Sequence, residues 1–198
     1  IRQHQLKYVQ NHAEWTAGIE YTEAPENQLI HVESGAVKHS KDTSNSYYGW
    51  DNEYGWHESA VAAFKASQFL VSNQEFLGFL QAGGYKKPEL WEPEGHDWLM
   101  FAKAVHPEFW VFKDEQWHLR LMTQEVPMPW SWPAEVNYHE AKAFCNWKKQ
   151  ETGQNYRLPT EDEWYRLYSV AGMTEDTDAN HRLKYHASSC AVNKFQQG

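Results

Sequence analysis

Arg157-Leu158-Pro159-Thr160-Glu161-Asp162-Glu163-Trp164 is a helix start written into the sequence. Pro159 stops the preceding chain from running on as a helix, and the Thr160 hydroxyl can accept from a free backbone N–H of the first turn. Glu163 can reach back to the Thr160 N–H and close a capping box. Three acids in the first turn suit the positive end of the helix dipole. Trp164 is expected to begin the buried face, continued by Leu167, Tyr168 and Ala171, with Gly172 as the stop.

The same chemistry recurs twice upstream. Ser72 and Glu75 form a second capping-box pattern, followed by Phe76, Phe79 and Leu80 on one face and Gly83-Gly84 as a stop. Asn137 and Glu140 give a looser version, with Ala141, Phe144 and Cys145 expected on one face and Gly153 beyond the end. Between these helices, Tyr85 to Glu135 is rich in Trp, Pro and charge and reads as long loops with short strands. Ahead of them, Ile1 to Asn11 reads as the tail of a helix. Gln28 to Ser34 alternates as a strand does and reaches a turn at Gly35 and Val37. Asp42 to Asn52 reads as a polar and aromatic loop, and Val61 to Val71 as extended chain leading into a helix. The mixture is α+β and loop-rich, with helices too few and too irregular for a repeating βαβ sheet.

Composition narrows the function. The 198 residues carry 11 Trp and 11 Tyr in a chain whose mean hydropathy is −0.83, so large rings must supply much of the buried area. A net charge of −9, with no dense basic stripe, disfavours nucleic acid. No stretch approaches the roughly 20 apolar residues of a membrane span, and the N-terminal residues given do not form a signal-peptide core. Two distant cysteines, Cys145 and Cys190, are too few for a disulfide scaffold and suit two thiols in the reducing cytoplasm. The chain opens on Ile1, which suggests that something upstream was removed or that the chain is a fragment.

Several features invite chemistry and have a plainer explanation. None of the 11 histidines lies three or four residues from another, and neither cysteine belongs to a C-x-x-C pair, so no helical metal motif is legible. Asp176, Asp178 and Asn180 resemble the opening of a calcium loop, but His181 stands where the turn glycine is needed and Ala187 where the closing Glu belongs. Trp91, Trp98, Trp110, Trp117, Trp130 and Trp132 could stack against a sugar or a quaternary amine. Packing beneath long loops is the favoured reading. Cys190 has no identifiable base beside it and reads as an inert thiol.

Taken together, these stretches carry a family resemblance. Arg157 to Trp164 resembles the RLPTExEW element of formylglycine-generating-enzyme-like (sulfatase-modifying-factor) domains. Val71 to Phe76 is similar to their helix entry, and Asp51-Asn52-Glu53 to their acidic element before the long strand. Tyr48 to Gly55, Trp132 to Tyr138, Glu140 to Trp147 and Ala187 to Cys190 resemble more closely one branch, the OvoA-type 5-histidylcysteine sulfoxide synthases of ovothiol biosynthesis.

That resemblance implies a C-type-lectin-like α+β fold, incomplete at its C-terminus. Residues 1–24 would be the tail of an upstream DinB-like helical domain with its linker, and residues 25–198 the N-terminal part of the formylglycine-generating-enzyme-like domain. It implies an enzyme that uses iron(II) and oxygen to join cysteine sulfur to the histidine imidazole as a sulfoxide. The family's three histidine ligands belong to the DinB-like domain and end just before an Ile-Arg-Gln sequence. Since this chain opens on Ile1-Arg2-Gln3, the iron is expected outside it, and this piece supplies scaffold and pocket wall. Trp50, Asp51, Asn52 and Glu53 match the family motif; a structural role in holding their own turn is the favoured reading, and substrate contact by these four candidates is the alternative. Two other readings stand beside this one: a non-catalytic lectin-like ligand-binding module, and a relative such as the ergothioneine-pathway sulfoxide synthase or a formylglycine generator. The branch-specific stretches argue against the relatives, and the generator's reactive cysteine pair is not visible.

Overall fold

Each of the three capping boxes is complete in the computed structural model, which describes residues 18–44, 46–122, 124–172 and 189–194. Ser72, Asn137 and Thr160 each accept from the N–H three residues on, and Glu75, Glu140 and Glu163 each return a bond to the cap N–H. They open helices α1 (Asn73–Gln81), α3 (Tyr138–Thr152) and α4 (Glu161–Val170). The Asn137 box, expected to be looser, is made in full. A further helix, α2 (Pro93–Ala102), stands where the sequence reads as loop. The strands are β1 (Leu29–Val32), β2 (Gly35–Lys41), β3 (Gly55–Val61), β4 (Phe64–Ser67), β5 (Trp110–Lys113), β6 (Gln116–Arg120) and β7 (Glu125–Pro127). The helix expected over Ile1 to Asn11, the acidic loop at Asp176 to Asn180, and Ala187-Ser188 lie outside the described residues.

The described residues divide into two compact units. One comprises residues 18–27, 69–158 and 189–194. Its core is aromatic: Phe76 stacks on Phe144 at 5.5 Å, Phe79 meets Phe76 edge-on at 5.2 Å, and Trp110 and Trp132 are almost wholly buried. A fully buried ring of this kind contributes about 1.5–3 kcal/mol by area alone. The antiparallel sheet β5-β6-β7 belongs to this unit, and its Trp110, Leu119 and Val126 enter the core. The start of α1 is held from a distance. The Asn73 and Gln74 N–H groups donate to the carbonyls of Trp132 and Trp130, and the buried Asn73 amide donates to Pro129 O at 2.9 Å. Donors that a helix leaves free at its first turn are thus satisfied by the Pro129–Trp132 segment. The end of α1 uses both glycines. Gly83 takes the left-handed conformation at φ 79°, and a Cβ on Gly84 would lie 2.2 Å from the buried Phe79 ring.

The second unit comprises residues 28–68 and 159–172. Its two antiparallel ladders, β1-β4 and β2-β3, are joined by α4, which touches β1, β2 and β3. Gly35 and Val37, expected in a turn, begin the long strand β2. Arg166 fixes α4 by donating to the carbonyls of Glu33 and Ser34 at 2.9 and 3.1 Å.

Two buried faces differ from expectation. Trp164 is 51% exposed and stacks on Tyr168 at 5.5 Å, while Glu163 is the buried member of α4. On α3 the buried residues are Glu140, Ala143 and Phe144 rather than Ala141, Phe144 and Cys145. The stripe is turned because Glu140 is drawn inward by a hydrogen bond that spacing alone does not reveal.

Candidate functional site

The loop between β2 and β3 carries the motif-matched residues Trp50, Asp51, Asn52 and Glu53. Asp51–Glu53 is a single 3-10 turn closed by the Glu53 N–H on Trp50 O at 2.9 Å. Lys41, at the end of β2, clamps it by donating to Glu53 Oε2 at 2.9 Å and Tyr48 O at 3.0 Å. The Asp51 carboxylate accepts from the Asn52 N–H at 3.0 Å, and Trp50 lies edge-on to Tyr48 at 5.5 Å while 64% exposed. The turn therefore holds itself together and still presents an indole beside two carboxylates.

A second cluster in the same unit is not legible in the sequence. The β2-β3 register sets His39 opposite His57, and their rings stack at 5.8 Å. Both point Nε2 at Asp162 Oδ1 on α4, at 2.9 and 3.6 Å, and Tyr165 meets the His39 ring edge-on at 3.8 Å. The Ser59 hydroxyl, then the His39 imidazole, hold the Asp162 carboxyl below the usual carboxylate range. His39, His57, Thr160, Glu161 and Asp162 line an open depression of about 440 Å³. The two histidines stand eighteen positions apart in sequence, and only the strand register brings them together.

Neither cluster fits a resident iron ion. Among the described residues no group of three or more His, Cys, Asp and Glu side chains is disposed to hold a metal. His39 is hydrogen-bonded to one Asp162 carboxylate oxygen and His57 stands at ion-pair distance from the same oxygen. No described helix is long and apolar enough to cross a membrane.

In the other unit, among the described residues, the buried Glu140 pairs with the buried Tyr85. The Tyr85 hydroxyl donates to Glu140 Oε1 at 2.5 Å, and Glu140 Oε2 accepts from the Asn137 N–H at 2.9 Å. Burial, and then the facing Glu140 charge, push the Tyr85 phenol far above its usual range. Burial also raises Glu140, against the hydrogen bonds from Tyr85 and Asn137 that favour its carboxylate. Both cysteines are free thiols, and burial pushes each one up, which leaves little nucleophilic thiolate. Trp91, Trp110 and Trp132 are buried, and Trp98, Trp117 and Trp130 pack against the same core, so these indoles serve packing.

The model of the sulfatase-modifying factor enzyme 1-like domain matches residues 17–193. A hercynine oxygenase from Mycolicibacterium thermoresistibile is 31% identical over 126 residues, covering 62% of this chain and 26% of that protein. Hercynine oxygenases from Mycolicibacterium smegmatis and Mycobacterium tuberculosis are 29% identical over 126 residues and 28% over 127. Each match covers 62% of this chain and 27% of the relative. The chain thus spans about a quarter of the length of these curated relatives.

Proposed function

The chain belongs to the sulfatase-modifying factor enzyme 1-like domain family, and on that premise we propose that it is part of an iron(II)- and oxygen-dependent sulfoxide synthase acting on a histidine-derived substrate. The carrying observation is the likeness, at 28–31% identity, to three hercynine oxygenases across the same share of the chain. The reaction balances as a thiol plus an imidazole C–H plus dioxygen, giving a C–S bond, a sulfoxide oxygen and one water. In this reading residues 1–24 are the end of a DinB-like domain and residues 25–198 the beginning of a lectin-like domain. The iron ligands lie outside this chain, which forms scaffold and pocket wall in a cytoplasmic enzyme. Trp50, Asp51, Asn52 and Glu53 contact substrate from the clamped turn.

Two substrates fit that reaction. Histidine with cysteine, the ovothiol-type pair, is supported by the branch-specific stretches Tyr48 to Gly55 and Trp132 to Tyr138. Hercynine, the trimethylated form of histidine, is supported by the names of the relatives. The full-length protein, loaded with iron(II) and given oxygen and cysteine, is offered each in turn, with products resolved by mass spectrometry. A sulfoxide from histidine in preference to hercynine supports the ovothiol-type reading, and the reverse preference replaces it with the ergothioneine-type one. Product from neither removes both.

A further inference from the structure

The buried Tyr85 hydroxyl has a geometry beyond what packing requires. Its proton points at a carboxylate oxygen 2.5 Å away, and the other oxygen of that carboxylate is held by the Asn137 N–H at 2.9 Å. A phenol gives up an electron far more readily when its proton can leave at the same moment, and a carboxylate in hydrogen-bond contact is the group that takes it. The ring is also wired to other oxidisable rings. Trp91 lies 5.6 Å from Tyr85, Trp98 lies 5.9 Å from Trp91 and stacks on it, and His139 stacks on Trp98 at 6.0 Å. Trp91 is buried and anchored by its indole N–H on Gly84 O at 2.9 Å, whereas Trp98 is only half-buried. The chain of rings therefore runs from an edge that solvent reaches to a phenol with a proton acceptor in place.

We propose that Tyr85 is a redox-active tyrosine, the end of a relay Trp98–Trp91–Tyr85 that receives one-electron oxidation at Trp98 and stores it as a neutral tyrosyl radical. A one-electron oxidant takes an electron from the Trp98 indole, leaving an indole cation radical. An electron from Trp91 refills Trp98, and an electron from Tyr85 refills Trp91. As Tyr85 loses that electron, its hydroxyl proton moves to Glu140 Oε1, so the products are a neutral phenoxyl and a protonated carboxyl. Return of one electron from a reductant and of the proton from Glu140 restores the pair. The physiological oxidant, an activated-oxygen species escaping its substrate, rests on the oxygenase reading above. The relay would then draw damage away from the rest of the core.

The experiment supplies its own oxidant. The full chain is mixed with photogenerated ruthenium(III) tris-bipyridine, without metal or substrate, and radicals are followed by transient absorption and electron paramagnetic resonance. The wild type gives a long-lived neutral tyrosyl signal with a slower rise in deuterated solvent. Tyr85→Phe loses the long-lived component and leaves short-lived indole radical. Glu140→Gln keeps the capping geometry but loses the proton acceptor, and so loses the deuterium effect. Tyr138→Phe, which removes an exposed phenol that meets His139, leaves the signal unchanged. A long-lived signal that survives in Tyr85→Phe, or none in the wild type, overturns the relay and leaves the oxygenase reading standing. Failure of the sulfoxide assay removes the proposed oxidant and leaves the ruthenium result untouched.

Discussion

Tyr85 and Glu140, 55 residues apart, are joined by a 2.5 Å hydrogen bond in which the phenol serves a carboxylate that is also half of a helix cap. One side chain thereby sets the start of α3 and ties it to the 3-10 turn Gly84–Lys86, which carries Tyr85. Removing the phenol oxygen leaves a buried acceptor unserved. Tyr85→Phe should lower unfolding stability by about 1–3 kcal/mol in urea titration. A change within about 0.5 kcal/mol, typical of surface substitutions, would show the bond to be incidental.

The pH dependence of that pair has a definite sign. Burial raises the Glu140 pKa above its ordinary 4.5, so the folded state binds the proton more tightly than the unfolded chain. Its contribution is full below that ordinary value and is lost as pH rises through the folded-state value. The stability of the wild type relative to Glu140→Gln should therefore fall on raising the pH from about 4 towards neutrality. Glu125 runs the other way. The Lys113 hydrogen bond, with help from Arg120, lowers it from 4.5, so its contribution is present above that value and lost as pH falls through the lowered one. The wild type's margin over Glu125→Gln should shrink in acid. Equal slopes for the two variants would contradict both assignments.

Gly84 is a matter of space. A Cβ there would meet the Phe79 ring, which is wholly buried, at 2.2 Å. Gly84→Ala must displace a core ring and should cost about 1–3 kcal/mol in thermal or urea denaturation. Unchanged stability would mean that Phe79 can move away freely.

Much of this fold is legible in sequence where the determinant is local. Ser72, Asn137 and Thr160 each sit three residues before a Glu, and all three helices begin there. Helix α2 escapes because it carries no such mark. Its cap, Glu92, makes no side-chain bond, and it ends on Lys103 in the left-handed conformation rather than on a glycine. The β5-β6 turn is hidden in the same way, since Asp114 and Glu115 both take positive φ without an Asn-Gly or Asp-Gly signal. Trp164 reads as core because it is large and apolar, but burial depends on neighbours that spacing does not specify. The His39, His57 and Asp162 group needs a strand register and a helix from elsewhere in the chain, neither of which a single sequence supplies.

The Trp50–Glu53 turn separates folding from function. Trp50 is exposed and the Lys41–Glu53 pair lies at the surface, so Trp50→Ala and Glu53→Gln should each change stability by no more than about 1 kcal/mol. If the proposed reaction holds, Trp50→Ala in the full-length protein should raise KM for the imidazole substrate. An unaltered KM alongside unaltered stability would assign the turn no part in binding.

The fate of dioxygen tests the proposed reaction most directly. Full-length protein with iron(II), cysteine and a histidine-derived substrate under oxygen-18 gas should yield a C–S coupled product bearing one heavy oxygen on sulfur, read by mass spectrometry. Heavy oxygen only in a cysteine sulfinic acid, or a coupled product with no heavy oxygen, would contradict it.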